Sequence, residues 1–316
     1  MRPALCEGQE IMSKIKSFES LMGKENFLRV HVIFGQREAI LVDTAMRGYE
    51  HLVGEALAFL RSQQMSLTWI VNTHAHHDHI GLNYLVQHQT GARIVSHPWG
   101  KRWLADPDIN YREFVLGYPG VIKDTPALRH EVYDTLGEGT SLDIGVIGGE
   151  HVYLDGATDI EIVDTSGHVA GEIGLLVIDE QTLILGDALV GLTLPMFHGY
   201  VDPLRYRETL QRIRDLVVTG RVCRLLSSHL PLFQDPDEIL HAVSLRVNEM
   251  EEIHQLVLER IGQQPSTLRD IWLSVSKVKN KQAEFRGLAM VAGHIAHLQF
   301  ERRVAEENGT YRLLDS

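Results

Sequence analysis

The hydrophobic pattern of the first hundred residues changes period several times. Runs rich in β-branched residues predict strands, and stretches with apolar residues three or four positions apart predict helices. The predicted elements are, in chain order, strands at 28–34 and 38–43 joined as an antiparallel hairpin, a helix at 48–63, a buried strand at 66–73, a helix at 81–89 and a strand at 93–96. Alternation of strands and helices is typical of an α/β layered domain.

The pattern weakens over residues 98–150 and becomes regular again afterwards. This stretch is rich in aromatic residues with scattered proline and glycine, and we interpret it as a mostly helical insertion. Beyond it the sequence predicts strands at 151–154, 159–164, 172–178 and 181–185, a helix that opens at Asp202-Pro203 and ends near Gly220, and a strand at 224–228.

The last eighty residues have a helical pattern of their own. The predicted elements are a long amphipathic helix from Pro236 to Ile261, a helix that begins at Thr267, a helix at 283–299 and a hairpin that turns at Asn308-Gly309. Three helices followed by a hairpin resemble a winged helix. We therefore divide the chain into a domain of residues 1–235 and a C-terminal winged-helix-like domain of residues 236–316.

Composition and charge narrow the function classes. The 316 residues are 44% hydrophobic and 23% charged, which is typical of a soluble globular protein and excludes disordered, collagen-like and coiled-coil classes. The formal net charge of −12 argues against a nucleic-acid partner or an anionic membrane. Cysteine occurs only at Cys6 and Cys223, and neither an export signal nor a stretch of roughly 20 apolar residues is present. We therefore expect a cytoplasmic protein.

A cluster of histidine and aspartate follows the strand predicted at 66–73. The segment THAHHDHIG contains His74, His76, Asp78 and His79 within six residues. Alternate side chains of an extended backbone share a face, so His74 and His76 can bind one ion, while Asp78 and His79 can bind a second ion where the chain turns. Imidazole and carboxylate ligands favour Zn, Fe or Mn over Ca or Mg. The alternative is a solvated histidine-rich loop, which the position directly after a buried strand disfavours.

This segment resembles the HxHxDH motif of the metallo-β-lactamase fold superfamily, and the resemblance extends over about residues 25–235. Three later residues match further ligands of the family: His168 in TSGHVAG, Asp187 in LGDA, and His229 in SSHLP, where the family usually has glycine after the histidine. The resemblance implies a four-layer αββα sandwich with two divalent metal ions, zinc foremost and iron or manganese as alternatives. It implies that His74, His76 and His168 hold one ion, that Asp78, His79 and His229 hold the other, that Asp187 bridges them, and that Asp78 and His79 are catalytic. His77 occupies the variable position of the motif, where we expect a residue that supports the ligands or faces solvent.

Hydrolysis is the reaction that such a ligand set favours. Two cations about 3.5–4 Å apart lower the pKa of a bridging water and polarise a carbonyl or phosphoryl oxygen. A β-lactamase is disfavoured, because Asp187 stands where the well-known zinc β-lactamases carry a cysteine. We therefore expect a hydrolase of a thioester, ester or lactone of a small organic acid, including substrates of the acyl-CoA type. The alternatives are a metal-dependent phosphodiesterase or endoribonuclease, and a regulatory protein in which hydrolysis is incidental.

The substrate of the predicted metal centre depends on two regions of the chain and on one further residue. The insertion at 98–150 either forms the wall of a pocket for an apolar part of the substrate or serves as a packing or dimer contact. His198, in the segment PMFHGY, is a candidate substrate contact. Residues 236–316 carry 10 basic and 12 acidic residues, which is no basic footprint for nucleic acid. We interpret this region as a packing or homodimerisation element that also caps the cleft, and we expect a small-molecule substrate.

Overall fold

The computed structural model of the chain describes residues 13–22, 26–156, 158–189, 194–197, 199–229 and 232–314. Within these ranges two large β-sheets lie face to face, with helices on the outer face of each sheet. The predicted αββα sandwich is therefore confirmed. Among the described residues, no helix is both long enough and apolar enough to cross a membrane.

The first sheet carries the hairpin and the parallel strands predicted for the first hundred residues. Its strands, which are neighbours in chain order, are β1 (Ile15–Met22), β2 (Asn26–Phe34), β3 (Glu38–Val42), β4 (Ser66–Val71), β5 (Arg93–Ser96) and β6 (Ile144–Gly145). Strands β1 to β3 pair antiparallel, and the pairs from β3 to β6 are parallel. The sequence analysis missed β1, an edge strand whose apolar residues do not alternate, and β6, which has only two residues.

Helices cover the outer face of the first sheet. They are α1 (Glu50–Ser62), α2 (His77–Ile80), α3 (Asn83–Thr90), α4 (Lys101–Ala105), α5 (Pro107–Phe114) and α6 (Pro126–Glu131). The helix predicted at 81–89 corresponds to α3, while α2 begins inside the histidine motif. The stretch at 98–150 is helical in its first part and then returns to the first sheet through β6.

The second sheet has the spatial order β11-β10-β9-β8-β7, with the strands β7 (His151–Leu154), β8 (Thr158–Asp164), β9 (Ile173–Val177), β10 (Thr182–Leu185) and β11 (Arg224–Ser227). Only β10 and β11 among these pairs are parallel, and the helix α7 (Pro203–Val218) connects them. The Asp202 carboxylate accepts hydrogen bonds from the Leu204 and Arg205 N–H groups, both at 3.0 Å, as predicted for an N-cap.

The C-terminal residues form three helices and a hairpin, as predicted. The elements are α8 (Pro236–Gln263), α9 (Leu268–Val278), α10 (Phe285–Phe300), β12 (Val304–Glu307) and β13 (Thr310–Leu313). Asn308 and Gly309 have positive φ values of 51° and 77°, which the two-residue turn between β12 and β13 requires.

Three apolar clusters hold the layers together. One lies between the sheets and includes Ile33 and Ile162, and a second joins the first sheet to α1 and the insertion. The third joins the second sheet to α7 and to the C-terminal helices, so Leu183 and Ile253 belong to one continuous core. The domain division at residue 235 stays a prediction about chain organisation.

Candidate metal centre

The seven predicted ligands lie in the segments that follow strands at one edge of the two sheets, with Asp78 and His79 in the short helix α2 and the others in loops. The motif residues follow β4, His168 follows β8, Asp187 follows β10, and His229 follows β11. The Ile173 N–H group donates a hydrogen bond to the Thr73 carbonyl at 2.9 Å, which ties the two sheets together at this edge. The carboxyl ends of four strands thus bring residues that are up to 155 positions apart to one place.

The ligand atoms form two groups, within each of which they lie within 4.8 Å of one another: His74, His76, His168 and Asp187 in the first, and Asp78, His79 and His229 in the second. Asp187 connects them. Its Oδ2 lies 3.5 Å from His168 Nε2, and its Oδ1 lies 3.4 Å from both His79 Nε2 and His229 Nε2. The carboxylate therefore presents one oxygen to each group, which is the arrangement expected of a bridging ligand.

Three of the histidines are oriented by the ring nitrogen that faces away from the centre. In each, Nδ1 contacts an oxygen acceptor while Nε2 is directed to the centre, which is how proteins fix the rings of metal-binding histidines. The acceptors are the Asp43 carboxylate for His79 (2.8 Å), the Phe27 carbonyl for His229 (2.8 Å) and the Gly199 carbonyl for His168.

Asp43 is a buried acid at the centre that the sequence analysis missed. Its carboxylate accepts hydrogen bonds from the Thr73 N–H group at 2.8 Å and the Thr73 hydroxyl at 2.9 Å, in addition to its contact with His79. Its backbone has a φ of 59°, in the left-handed region. One signal was available, since Asp43 directly follows β3 at the same sheet edge as the motif.

Glu172 is a second buried acid without a counterpart in the sequence analysis. Its Oε1 accepts a hydrogen bond from the Asp187 N–H group at 2.6 Å. Burial, with the charge of Asp187 adding to it, raises the pKa of Glu172 well above its usual range. Glu172 therefore supports the backbone that carries the bridging carboxylate.

The protonation states in the centre suit metal ligands. Burial and the neighbouring imidazoles lower the pKa of His74 and His76 well below the usual value, so these rings are neutral and have a free lone pair. Burial alone would raise the pKa of Asp78, but the adjacent histidines hold it well below its usual range. Burial would likewise lower the pKa of His79, yet the surrounding carboxylates raise it well above the usual value. A metal ion bound here would supply the positive charge that these carboxylates favour.

The spacing of the ligand atoms also fits metal ions. Two ligands of one tetrahedral ion, with bonds of about 2.1 Å, lie ~3.4 Å apart. The distances of 3.4 and 3.5 Å from Asp187 to His79 and His168 match this value. His79 Nε2 is moreover fully buried without a hydrogen bond to any described residue. The residues present can therefore hold divalent ions.

Aromatic side chains cover one side of the centre. The Phe114 ring stacks on the His76 ring at a centroid distance of 3.8 Å, and the Trp103 ring lies 5.8 Å from it. Phe285, from α10, packs edge-on against Phe114 at 5.0 Å. The insertion and the C-terminal helix thus meet beside a predicted ligand.

The remaining predicted site residues have different outcomes. His77 is 7% exposed and its Nδ1 lies 2.9 Å from the Thr135 hydroxyl, so the alternative that it faces solvent is wrong. The leucine that follows His229 in place of glycine leaves the His229 ring in the second ligand group. His198, the candidate substrate contact, lies outside the described residues. Three cations of residues 277–286 have partners within the chain: Lys279 contacts Glu252, Lys281 donates to the Leu194 carbonyl, and Arg286 contacts Glu131 and Glu284.

A family model extends the evidence beyond the ligand residues. Residues 29–226 match the model described as "Metallo-beta-lactamase superfamily". The chain belongs to the metallo-beta-lactamase superfamily. Membership of the superfamily accounts for the two sheets and for the order of the predicted ligands along the chain.

Known members of the superfamily share only modest identity with the chain. "Beta-lactamase-like protein 2 homolog" of Drosophila melanogaster is 22% identical over 227 residues, covering 72% of this chain and 65% of that protein. "Hydroxyacylglutathione hydrolase" of Polaromonas sp. is 26% identical over 223 residues, covering 63% of this chain and 72% of that protein. The chain thus spans slightly less than two thirds of the Drosophila relative.

Solved structures match over a greater length. A metallo-beta-lactamase family protein of Thermus thermophilus has a TM-score of 0.73 at 18% identity, covering 95% of this chain and 99% of that one. A beta-lactamase domain protein of Burkholderia ambifaria has a TM-score of 0.71 at 14% identity, covering 99% and 96%. At these identities the likeness concerns the fold, and it includes the C-terminal helices.

Proposed function

We propose that the chain hydrolyses the thioester, ester or lactone of a small organic acid that carries an apolar group. The observation that carries this proposal is the Asp187 carboxylate, which presents one oxygen to each of two ligand groups. The two groups would hold two divalent ions, zinc foremost, which would supply an activated water and polarise the carbonyl oxygen of the substrate. The relative named hydroxyacylglutathione hydrolase supports an acyl substrate.

The residues of the centre have distinct roles in this reaction. Asp78 is a carboxylate with 15% of its side chain exposed and lies 3.2 Å from His229 Nε2, so it would hold the second ion on the side that a substrate can reach. Asp43 holds the His79 ring in place, and Glu172 holds the backbone of Asp187. The aromatic rings beside His76 exclude bulk water and offer an apolar surface for the acid portion of the substrate.

A substrate screen tests the function. The metal-reconstituted protein is assayed with acyl-CoA, glutathione thioester, lactone, ester and single-stranded RNA substrates, beside His76→Ala and, as a matched control, His88→Ala on the exposed face of α3. We expect acyl substrates to be cleaved, and cleavage to fall to background in His76→Ala but not in His88→Ala. Less than one metal ion per chain, or equal hydrolysis by His76→Ala, would overturn the proposal. RNA cleavage lost in Asp187→Ala would instead support the phosphodiesterase alternative.

The apolar surface makes a separate prediction. Phe114→Ala removes the ring that stacks on His76, so we expect kcat/KM for a long or aromatic acyl substrate to fall about tenfold relative to an acetyl substrate, because about 1.4 kcal/mol of apolar contact is lost. The control is Phe300→Ala, at a side chain that is 80% exposed on α10. An unchanged ratio of the two kcat/KM values would show that the insertion is a packing element instead.

A further inference from the structure

Helix α10 packs unusually closely against the chain that leads into α7. At Gly293, a Cβ atom would collide with the Val201 carbonyl, and at Gly287 it would collide with the Phe197 ring. A Cβ at Gly199 would in turn meet the Arg286 carbonyl. Glycine at these positions lets the lead-in segment, residues 199–202, lie directly on the helix.

The lead-in segment is also bound to the loop of a predicted metal ligand. The N–H groups of Val201 and Asp202 donate hydrogen bonds to the Gly167 carbonyl at 2.9 and 3.1 Å. The Gly199 carbonyl accepts a hydrogen bond from His168 Nδ1. The position of the His168 ring therefore depends on where the lead-in segment lies.

A buried side chain fixes the lead-in segment to α10. The Tyr200 hydroxyl lies 2.8 Å from His294 Nε2, and the Tyr200 ring stacks on Tyr206 at a centroid distance of 4.5 Å. His294 Nδ1 lies 3.2 Å from Nδ1 of His254 on α8. Tyr200 and His294 are 3% and 1% exposed, so losing the hydrogen bond between them would leave a buried polar group without a water molecule to replace the partner.

The two histidines of the other ligand group are oriented by residues outside α10. His79 contacts Asp43, which follows β3, and His229 contacts the Phe27 carbonyl on β2. Both acceptors belong to the first sheet. Replacing Tyr200 or His294 should therefore leave the rings of His79 and His229 in place.

We propose that Tyr200 and His294 are positioning residues for His168, so that the C-terminal helix sets the affinity of the ion held by His74, His76, His168 and Asp187. The inference rests on the proposed metal centre. Replacing residues that orient metal ligands from outside typically costs 10- to 100-fold in metal affinity. Because Tyr200 acts through the backbone of Gly199, we expect the lower end of that range, about tenfold.

The experiment measures Zn²⁺ affinity in the full-length chain. Metal-free protein is titrated with Zn²⁺ against a chelator of known affinity, for wild type, Tyr200→Phe, His294→Leu, His294→Gln and the double variant Tyr200→Phe/His294→Leu. His76→Ala and His229→Ala identify which of the two bound ions belongs to which group. Gln299→Leu is the control on the same helix, since its side chain is exposed. Urea unfolding of each metal-free variant shows whether it is folded.

We expect Tyr200→Phe and His294→Leu each to lower the affinity for the ion identified by His76→Ala about tenfold. The affinity for the ion identified by His229→Ala should be unchanged. The double variant should lose no more affinity than either single variant, because both substitutions remove the same hydrogen bond between Tyr200 and His294. His294→Gln should retain most of the affinity, since its amide can still bond the hydroxyl. If Tyr200→Phe bound both ions with wild-type affinity, or bound both with equally reduced affinity, this inference would be overturned while the proposed function would stand. A wild-type chain that binds no Zn²⁺ would overturn the proposed function together with it.

Discussion

Asp187→Asn is expected to lower kcat/KM by about 10³-fold or more, because metal ions supply several kcal/mol of stabilisation to the transition state and each 1.36 kcal/mol is tenfold in rate. The amide keeps the shape of the carboxylate but lacks its charge, and it cannot offer two equivalent oxygens to the two ligand groups, which lie 3.4 and 3.5 Å from the wild-type oxygens. Both ions should therefore bind more weakly, and metal content per chain should fall with the activity.

The control for this prediction is Asp179→Asn, the same change at a side chain that is 47% exposed and contacts Lys14. It should keep full activity and full metal content. Elemental analysis of dialysed protein gives the metal content, and the substrate found in the screen gives kcat/KM. An Asp187→Asn protein that retained two ions and wild-type activity would show that this carboxylate does not bridge the groups.

The second large effect concerns stability in acid. Burial and the Arg29 charge lower the pKa of His31 to about 3, and burial together with His254 and His297 lowers the pKa of His294 to about 3. Below the unfolded-state pKa of about 6.5, these two histidines bind protons in the unfolded chain but stay neutral in the folded chain. The free energy of unfolding therefore falls as pH decreases from 6.5 toward 3. At 1.36 kcal/mol per pH unit, each histidine lowers the free energy of unfolding by about 2 kcal/mol at pH 5.

Histidine-to-glutamine variants isolate this effect in metal-free protein. For each variant we take the free energy of unfolding minus that of the wild type. This difference should be about 2 kcal/mol larger at pH 5 than at pH 7.5 for His31→Gln and for His294→Gln, and about 4 kcal/mol larger for the double variant. The exposed His88→Gln should show no such difference. Titration of the ligand histidines is common to all these proteins and cancels. Urea unfolding at the two pH values measures the differences, and equal values at both would contradict the assignment.

The motif could be located from sequence because His74, His76, Asp78 and His79 are metal-binding residue types that follow a predicted buried strand. Their division between two ions also followed from the local pattern. His168, Asp187 and His229, in contrast, were joined to the motif only by the family resemblance. The structure adds the geometric basis for joining them, in the two oxygens of Asp187.

The residues that hold the ligands in place were not predictable in the same way. Tyr200 and His294 are 94 positions apart, and nothing in their local sequence marks either one as different from a core residue. Glu172 is the first residue of the strand predicted at 172–178, where a solvent-exposed side chain is the ordinary expectation. Their roles arise from which helix packs on which loop, and hydrophobic periodicity does not specify that.

The third apolar cluster has a consequence for a chain that lacks its C-terminal region. It contains Val163 and Leu176 of the second sheet together with Met250 and Ile271 of the C-terminal helices, while Phe285 of α10 belongs to the cluster of the first sheet. Detaching the last eighty residues would expose apolar surface on both layers at once. We therefore expect a fragment that ends near residue 235 to aggregate, because apolar surface that the C-terminal helices cover would be exposed.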